Sequence, residues 1–169
     1  YTVFSDSSII ATHSEFDNCT DKTLTVTRLS SLQLDFVGDK AKVTTYDGTW
    51  VEERIKHETE VVSGNFEINS KTGISSAIHN PFFTAKINDR VLGFNLIFSG
   101  NHKEIVEVSP YNRIRILTGM SDFNFRYILK GGDKLVSPEA IFTVAESETE
   151  VSCQMHKFVL NHIINPDFA

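Results

Sequence analysis

The positions of apolar and polar residues predict strands along most of this chain. Residues 23–29 and 31–36 carry apolar side chains at a period of two, the pattern of a sheet with one buried face. Gly, Asn and Asp punctuate the candidate strands at intervals of about 8–12 residues, which is typical of an antiparallel sandwich. The predicted fold class is therefore all-β, an antiparallel β-sandwich. Further strands are predicted over residues 1–4, 8–16, 41–46, 90–98, 104–109, 113–117, 123–129 and 135–144.

A single helix is predicted at the C-terminal end of the sequence. Ser147 and Glu150 have the spacing of a capping box, in which side chains pair with the free N–H groups of a helix start. Apolar positions then recur every three or four residues, so one helix face should pack against the sandwich or a neighbouring domain. We expect two regions, the sandwich over residues 1–146 and the helix over residues 147–164. The apolar positions are Val151, Met155, Phe158, Val159 and His162 or Ile163.

The composition is that of a globular domain, with 169 residues, 40% hydrophobic and 22% charged, and a formal net charge of −6. Because Lys and Arg form no cluster, a nucleic-acid partner is not expected, and no apolar run is long enough to cross a membrane. The sequence opens on strand-like residues without Met and stops directly after the helix, so we expect an internal segment of a longer polypeptide. Cys19 and Cys153 show no pairing pattern, which favours the cytoplasm and leaves a single long-range disulfide as the alternative.

The residues show no pattern that carries catalysis or holds a metal ion. The six histidines lack the spacing of zinc ligands, and no nucleophile elbow or phosphate-binding loop occurs. Glycoside hydrolysis needs two carboxyl groups across the scissile bond, but Glu52 and Glu53 are adjacent and point to opposite faces of a strand. We predict no catalytic residue, no metal site and no cofactor. The other acidic residues considered, which we interpret as solvated, are Glu104, Glu107, Asp122 and Glu139.

Three polar and aromatic segments, at residues 47–54, 70–83 and 92–101, contain more special residues than a plain sheet needs. The first holds Trp50, the only tryptophan, directly after the turn signal Tyr46-Asp47-Gly48. An indole at a turn suits the apolar face of a sugar ring, and burial in the core is the alternative use of such a side chain. The second segment is interpreted either as a loop closed by its own side-chain hydrogen bonds or as the wall of a polar pocket.

In this order, the three segments resemble the N-terminal β-sandwich domain of the family 36 glycoside hydrolases, the bacterial α-galactosidases. The likeness spans nearly the whole chain, since residues 105–108, 119–125 and 137–139 and the closing helix also fit family positions. The family segment Gly-x-Trp-x-x-Glu-Arg is matched by Gly48, Trp50, Glu53 and Arg54. The segment Gly-x-Ser-Ser-His-x-His-Asn-Pro-Phe is matched by Gly73, Ser75, Ser76, His79, Asn80, Pro81 and Phe82, and Gly-Phe-x-Leu-x-Tyr-Ser-Gly-Asn is close to residues 93–101.

The resemblance implies a domain without catalytic residues of its own. In the family both catalytic aspartates lie on a (β/α)8 barrel of the same polypeptide, and the enzymes hydrolyse terminal α-galactosides, such as melibiose and raffinose-type sugars, with retention. The sandwich would be part of a galactose-mutarotase-like supersandwich that forms one wall of the substrate pocket and joins a bacterial, cytoplasmic tetramer. Trp50 matches the family's substrate contact, and Arg54, His79 and Asn80 would support it.

Two positions depart from the family pattern: Thr72 stands where the family has Arg, and Ala77 where it has the first His of the loop. Either the missing side chains serve subunit contacts, or the preferred sugar differs. Two other functions stay open at this point. One is an autonomous carbohydrate-binding module, in which Trp50 would bind a sugar by itself. The other is a structural or oligomerisation domain, in which Trp50 would be buried in the fold or in an interface.

Overall fold

The fold is known from a computed structural model, which describes residues 1–75 and 78–165. Strands dominate it, and one helix follows them. The strands are β1 (Thr2–Phe4), β2 (Ile9–Thr12), β3 (Glu15–Asp17), β4 (Leu24–Val26), β5 (Ser30–Val37), β6 (Ala41–Thr49), β7 (Glu52–Val61), β8 (Gly64–Asn69), β9 (His79–Ile87), β10 (Arg90–Ile97), β11 (His102–Ser109), β12 (Arg113–Met120), β13 (Tyr127–Leu129), β14 (Lys134–Val136) and β15 (Glu139–Ala145). Helix α1 (Glu148–Phe158) continues into a π-helical turn, Val159–Ile163.

Two antiparallel sheets form the sandwich. The larger has seven strands in the order β1-β2-β15-β10-β9-β6-β7, and the smaller has four in the order β5-β12-β11-β8. Short strands form two further pairs, β13 with β4 and β14 with β3. Every pairing among the described strands is antiparallel. The prediction of an all-β, antiparallel sandwich with a C-terminal helix is confirmed.

Strand β10 shows why the seven-stranded sheet is covered on both faces. Its alternate residues Leu92, Phe94 and Leu96 belong to the core between the two sheets, and the Phe94 ring stacks on Phe83 with 4.9 Å between centroids. Val91, one position out of phase, belongs to a second apolar cluster, beneath the helix. Burying a side chain of this size stabilises the fold by about 1.5–3 kcal/mol, so both clusters hold the sheet in place.

Helix α1 begins where the capping box predicts. Ser147 is the N-cap residue, and its Oγ accepts a hydrogen bond from the Glu150 N–H at 3.2 Å. The Glu150 carboxylate accepts from the Glu146 N–H at 3.1 Å, one residue earlier than in the standard box. Three apolar residues of the predicted stripe are buried against the sheet: Val151, Met155 and Phe158. Ile163, also predicted on the stripe, is exposed in the π-helical turn. The division of the chain at residue 146 stays a prediction.

Gly93 lets the helix approach the sheet closely, and its replacement tests that packing. A Cβ atom at Gly93 would lie 2.3 Å from Cγ1 of Val151. We expect Gly93→Ala to lower the free energy of unfolding by about 1–3 kcal/mol, the usual cost of overpacking, measured by urea denaturation. Because Val151→Ala removes the colliding methyl group, the double variant should cost less than the sum of the two single variants. Additive costs would contradict the predicted collision.

The strand predictions fail where the chain leaves one sheet for another. Residues 8–16, predicted as one strand, form β2 in the large sheet and β3 in a separate pair, and residues 135–144 divide in the same way between β14 and β15. The two breaks face each other, since the Ser137 N–H donates to the Ser14 carbonyl at 2.9 Å. The chain therefore leaves the seven-stranded sheet at the same place in both regions, after β2 and before β15. The contact that fixes this place joins residues that are distant in sequence.

Three further predictions about local structure are wrong in extent. Of residues 123–129 only Tyr127–Leu129 is a strand. The end of the second segment, from His79 onwards, lies in strand β9 and not in a loop. The strand-like run Val51-Glu52-Glu53-Arg54 is wrong in extent too, since β7 spans Glu52–Val61, and β8 was not predicted. Ser76 and Ala77 lie outside the described residues, as do residues 166–169, so the departure at Ala77 has no structural account.

Candidate functional site

The three polar and aromatic segments come together at one end of the sandwich. The backbone N–H of Gly48, in the first segment, donates to the carbonyl of Ile78, in the second, at 2.8 Å. The N–H of Gly73, also in the second, donates to Oδ1 of Asn101, in the third, at 2.6 Å. Direct hydrogen bonds therefore join segments that are separated by tens of residues in sequence, and this end of the molecule is the candidate site.

Trp50 lies at the tip of the hairpin between β6 and β7. Thr49 pairs with Glu52, so Trp50 and Val51 form a two-residue turn, and Val51 has a positive φ of 77°. The turn predicted at Tyr46-Asp47-Gly48 is wrong. Those residues continue β6, and the register with its neighbours shifts there.

The indole of Trp50 is 89% exposed, so it is not part of the core. Other apolar side chains of the hairpin tip and of the adjacent loop are exposed too: Val51, Ile74 and Ile78 at 79%, 60% and 50%. Exposed apolar groups that gather at one place mark surfaces that contact a partner or ligand, because burying them releases about 25 cal/mol per Å². The hairpin tip is therefore a candidate contact surface.

Asp47 and His79 fix the base of the hairpin. The two residues are partners in the β6–β9 register, and Nδ1 of His79 lies 2.7 Å from Oδ1 of Asp47. The hydroxyl of Thr45 donates to the other carboxylate oxygen at 3.0 Å. The carboxylate thereby orients the imidazole of His79, a predicted site residue. Asp47 itself was not predicted, since only the register of two strands distant in sequence places it there.

Arg54 and Asn80 line a groove of about 380 Å³ between the hairpin base and helix α1. A smaller recess of about 180 Å³ beside it also contains both residues. The side-chain oxygen of Asn80 accepts the Phe82 N–H at 2.9 Å, so part of its bonding capacity holds the start of β9. Trp50 and His79 do not line either space. The other residues of the larger groove are Tyr46, Phe82, Asn95, Ser152, Met155, His156 and Val159.

A shallow recess of about 490 Å³ lies at the opposite end of the sandwich, beside the turn between β11 and β12. Strand β11 runs from His102, near the candidate site, to Ser109, in this recess, a span of roughly 23 Å. In the recess Arg115 donates to both carboxylate oxygens of Asp35, at 2.7 and 3.0 Å. The pair is exposed, and such pairs contribute little to stability.

A buried pair, His102 and Glu104, lies behind the candidate site, and both side chains are 0% exposed. Nδ1 of His102 lies 2.8 Å from a carboxylate oxygen of Glu104, and Nε2 lies 2.7 Å from the Ser75 carbonyl and 3.2 Å from that of His79. The interpretation of Glu104 as a solvated residue is wrong. The sequence feature that could have revealed the pair is the run His102-Lys103-Glu104. On a strand, its first and third residues point to the same face, here the inward one.

The environment of the pair favours bound protons. Burial raises the pKa of Glu104 to about 7, although the contact with His102 opposes the rise. Burial lowers the pKa of His102, but the carboxylate of Glu104 outweighs it and raises the pKa overall. The folded chain therefore holds protons at this pair more tightly than the unfolded chain does.

Stability should consequently fall as pH rises. The Glu104 contribution is complete below its ordinary pKa of 4.5 and is lost as pH rises through about 7. A difference of this size corresponds to a loss on the order of 3 kcal/mol in the free energy of unfolding. The raised pKa of His102 acts in the same direction at higher pH. Urea denaturation at both ends of this window measures the loss, and Glu104→Gln should remove most of it. An equal loss in both proteins would contradict the assignment.

Within residues 1–75 and 78–165, no group of three or more His, Cys, Asp or Glu side chains could hold a metal ion. In the same part of the chain no helix is long and apolar enough to span a membrane. The groups that the described site does present are an exposed indole, a guanidinium and an amide. They are suited to binding a polar ring by stacking and hydrogen bonds.

The fold and the site define an antiparallel sandwich domain that presents an exposed indole and, beside it, a groove lined by Arg54 and Asn80. The family model described as the glycosyl hydrolase family 36 N-terminal domain matches residues 1–130. The chain belongs to this family.

Relatives occur in bacteria and fungi. The chain is 26% identical to the α-galactosidase Mel36A of Lactobacillus acidophilus over 99% of its length, and 28% identical to a probable α-galactosidase C of Aspergillus flavus over its whole length. It spans only 24% and 23% of these two proteins.

Solved structures share the fold. The α-galactosidase from Lactobacillus brevis superimposes with a TM-score of 0.93 at 31% identity, over 98% of this chain and 23% of that one. A substituted form of AgaA from Geobacillus stearothermophilus, in complex with raffinose, has a TM-score of 0.91 at 24% identity over 95% of this chain and 23% of that one.

Proposed function

We propose that this chain is the non-catalytic N-terminal domain of an α-galactosidase that hydrolyses terminal α-galactosides with retention. Membership of the family carries the proposal, because the relatives are α-galactosidases of which the chain spans about a quarter. The two catalytic aspartates would belong to a barrel in the same polypeptide. Raffinose and stachyose, bound by forms of AgaA, indicate the kind of substrate, and melibiose is the smaller candidate.

Trp50 is the proposed sugar contact. Its exposure at a hairpin tip leaves the ring face accessible, and a galactosyl unit has an apolar face that such a ring can cover. Arg54, His79 and Asn80 would act as supports. His79 is oriented by Asp47 at the base of the hairpin, and the other two meet in the groove below it. The contact would form only once the remaining walls of the pocket are present.

The exposed apolar surface supports the proposal of two further partners, the catalytic barrel and a second subunit. The apolar hairpin tip and loop would be covered by the catalytic barrel or by another subunit of a tetramer, since isolated exposure of this kind is unfavourable. We place the whole enzyme in the cytoplasm. Size-exclusion chromatography with light scattering of the full-length protein tests the tetramer, and a monomer would contradict it.

The test of the proposed activity compares two proteins, the full-length polypeptide and residues 1–169, on an aryl α-galactoside. We expect turnover by the full-length protein only, with the α-anomer of galactose as the first product by NMR. Turnover by residues 1–169 would contradict a non-catalytic domain. An inactive full-length protein would contradict the galactosidase, and a β-anomer would contradict retention.

The exposure of Trp50 also favours a second candidate function, an autonomous carbohydrate-binding module. In that case galactose would bind to residues 1–169 alone, with a Kd of about 1 mM or below, and Trp50→Ala would abolish binding. Calorimetric titration distinguishes the two functions, because the domain proposed above lacks the other walls of its pocket and should bind little.

A further inference from the structure

The buried side chain of His102 holds the second segment by hydrogen bonds to its backbone. Its Nε2 approaches the carbonyls of Ser75 and His79, which are four residues apart, so one imidazole holds both ends of this stretch. The stretch in turn meets the hairpin of Trp50, through the bond from Gly48 to Ile78. Two hydrogen bonds, joined by the backbone between Ile78 and His79, therefore connect the buried imidazole to the exposed hairpin.

The protons of the pair can be assigned from its contacts. A carbonyl oxygen only accepts hydrogen bonds, so Nε2 of His102 must carry a proton. The contact between Nδ1 and Glu104 needs one proton as well, on the nitrogen or on the oxygen. In both forms Nε2 remains a donor, so Glu104 locks the tautomer that the loop requires.

Burying this pair costs free energy, because both side chains lose their hydration in the core. The second carboxylate oxygen of Glu104 is buried and has no hydrogen-bond partner among the described residues. Apolar side chains of similar volume often replace a buried ionic pair without loss of stability. Stability alone therefore does not explain the pair, whereas the placement of the loop does.

We propose that His102 and Glu104 are positioning residues that hold the backbone at Ser75 and at His79, and through Ile78 the hairpin of Trp50, in the geometry of the site. The loop placement stands on the contacts alone. Its effect on sugar binding rests on the function proposed above.

The double variant His102→Phe/Glu104→Leu tests the placement. It keeps the volume of the core and removes both members of the buried pair. The carbonyls of Ser75 and His79 lose their donor but are only part-buried and can bond to water, so the urea midpoint should stay near that of the original protein. We expect amide hydrogen exchange at Gly48, whose N–H reports the loop contact, to become at least tenfold faster, while exchange in strand β10 is unchanged. Unchanged exchange at Gly48 would overturn the proposal.

Single variants at Glu104 test whether this residue fixes the tautomer of His102. They also replace the double variant as the test if that variant does not fold. The amide of Glu104→Gln can donate to Nδ1 and keep Nε2 protonated, so exchange at Gly48 should stay slow. Glu104→Leu offers no partner to Nδ1, so exchange should quicken. Equal exchange in both variants would overturn the role of Glu104, as would a 15N spectrum of the original protein at neutral pH with Nε2 unprotonated.

Kinetics of the full-length protein separate the placement of the loop from its effect on sugar binding. If the loop shapes the sugar pocket, the double variant should raise KM for an aryl α-galactoside several-fold and change kcat little. A loosened loop with unchanged KM would support the positioning role and contradict the pocket wall of the proposed function. A rigid loop with altered KM would overturn the positioning role.

Discussion

Trp50→Ala in the full-length protein should lower kcat/KM for an aryl α-galactoside by about 30-fold. Covering one ring face on each side buries about 80 Å² of apolar surface, which corresponds to about 2 kcal/mol, and 1.4 kcal/mol is a factor of ten. The urea midpoint should not change, because the side chain is 89% exposed in the domain. Steady-state kinetics and denaturation on the same preparation measure both quantities.

Two variants serve as controls for Trp50. Trp50→Phe keeps a flat apolar face and should lose only part of the activity. Tyr111→Ala removes another aromatic ring, 85% exposed but at the opposite end of the sandwich, and should have no effect. If Trp50→Ala behaves like Tyr111→Ala, the sugar contact is wrong.

The second large effect is expected for Gly48→Ala. A Cβ atom at this position would lie 2.2 Å from the carbonyl oxygen of Glu52 and 2.7 Å from Cα of Glu53. Both are backbone atoms of the facing strand, so no side chain can move aside and the hairpin must open. We expect a loss of about 2–3 kcal/mol in the free energy of unfolding and a fall in kcat/KM at least as large as for Trp50→Ala.

The control for Gly48 is Thr49→Ala, an exposed neighbour on the same strand. It should leave kcat/KM and the urea midpoint close to their original values. Gly48→Ala with an intact kcat/KM would show either that the strands separate without moving the indole or that the indole has no role in activity. The Trp50→Ala result decides between these.

The sequence predicts the secondary structure well where a strand has one polar face. Residues 31–36 alternate strictly and lie in β5, and the capping box gives the first turn of the helix correctly. Strand ends are less predictable, because they depend on partners elsewhere. No local pattern shows that residues 8–16 break at Ser14, since the break exists only because Ser137 pairs with it.

The same limit applies to the site. The three segments could be singled out by composition, and Arg54 and Asn80 do meet in one groove. Asp47 escapes a sequence-based analysis, because it gains its role from His79, 32 positions away. For His102 and Glu104 the His-Lys-Glu run is the only signal, and their role depends on burial and on a contact 27 positions away. The exposure of Trp50 is equally a tertiary property, since an indole after a turn is compatible with either side of a sheet.

Strand β7 ends the seven-stranded sheet, and its charged side chains oppose the addition of another strand at this edge. Its free edge is lined by charges, several of them paired: Lys42 with Glu58 at 2.6 Å, and Lys56 with Glu58 at 3.0 Å and with Glu148 at 2.8 Å. A foreign strand that added to this edge would have to strip water from those ammonium and carboxylate groups. Fibrous aggregation by extension of the sheet at β7 is thereby discouraged.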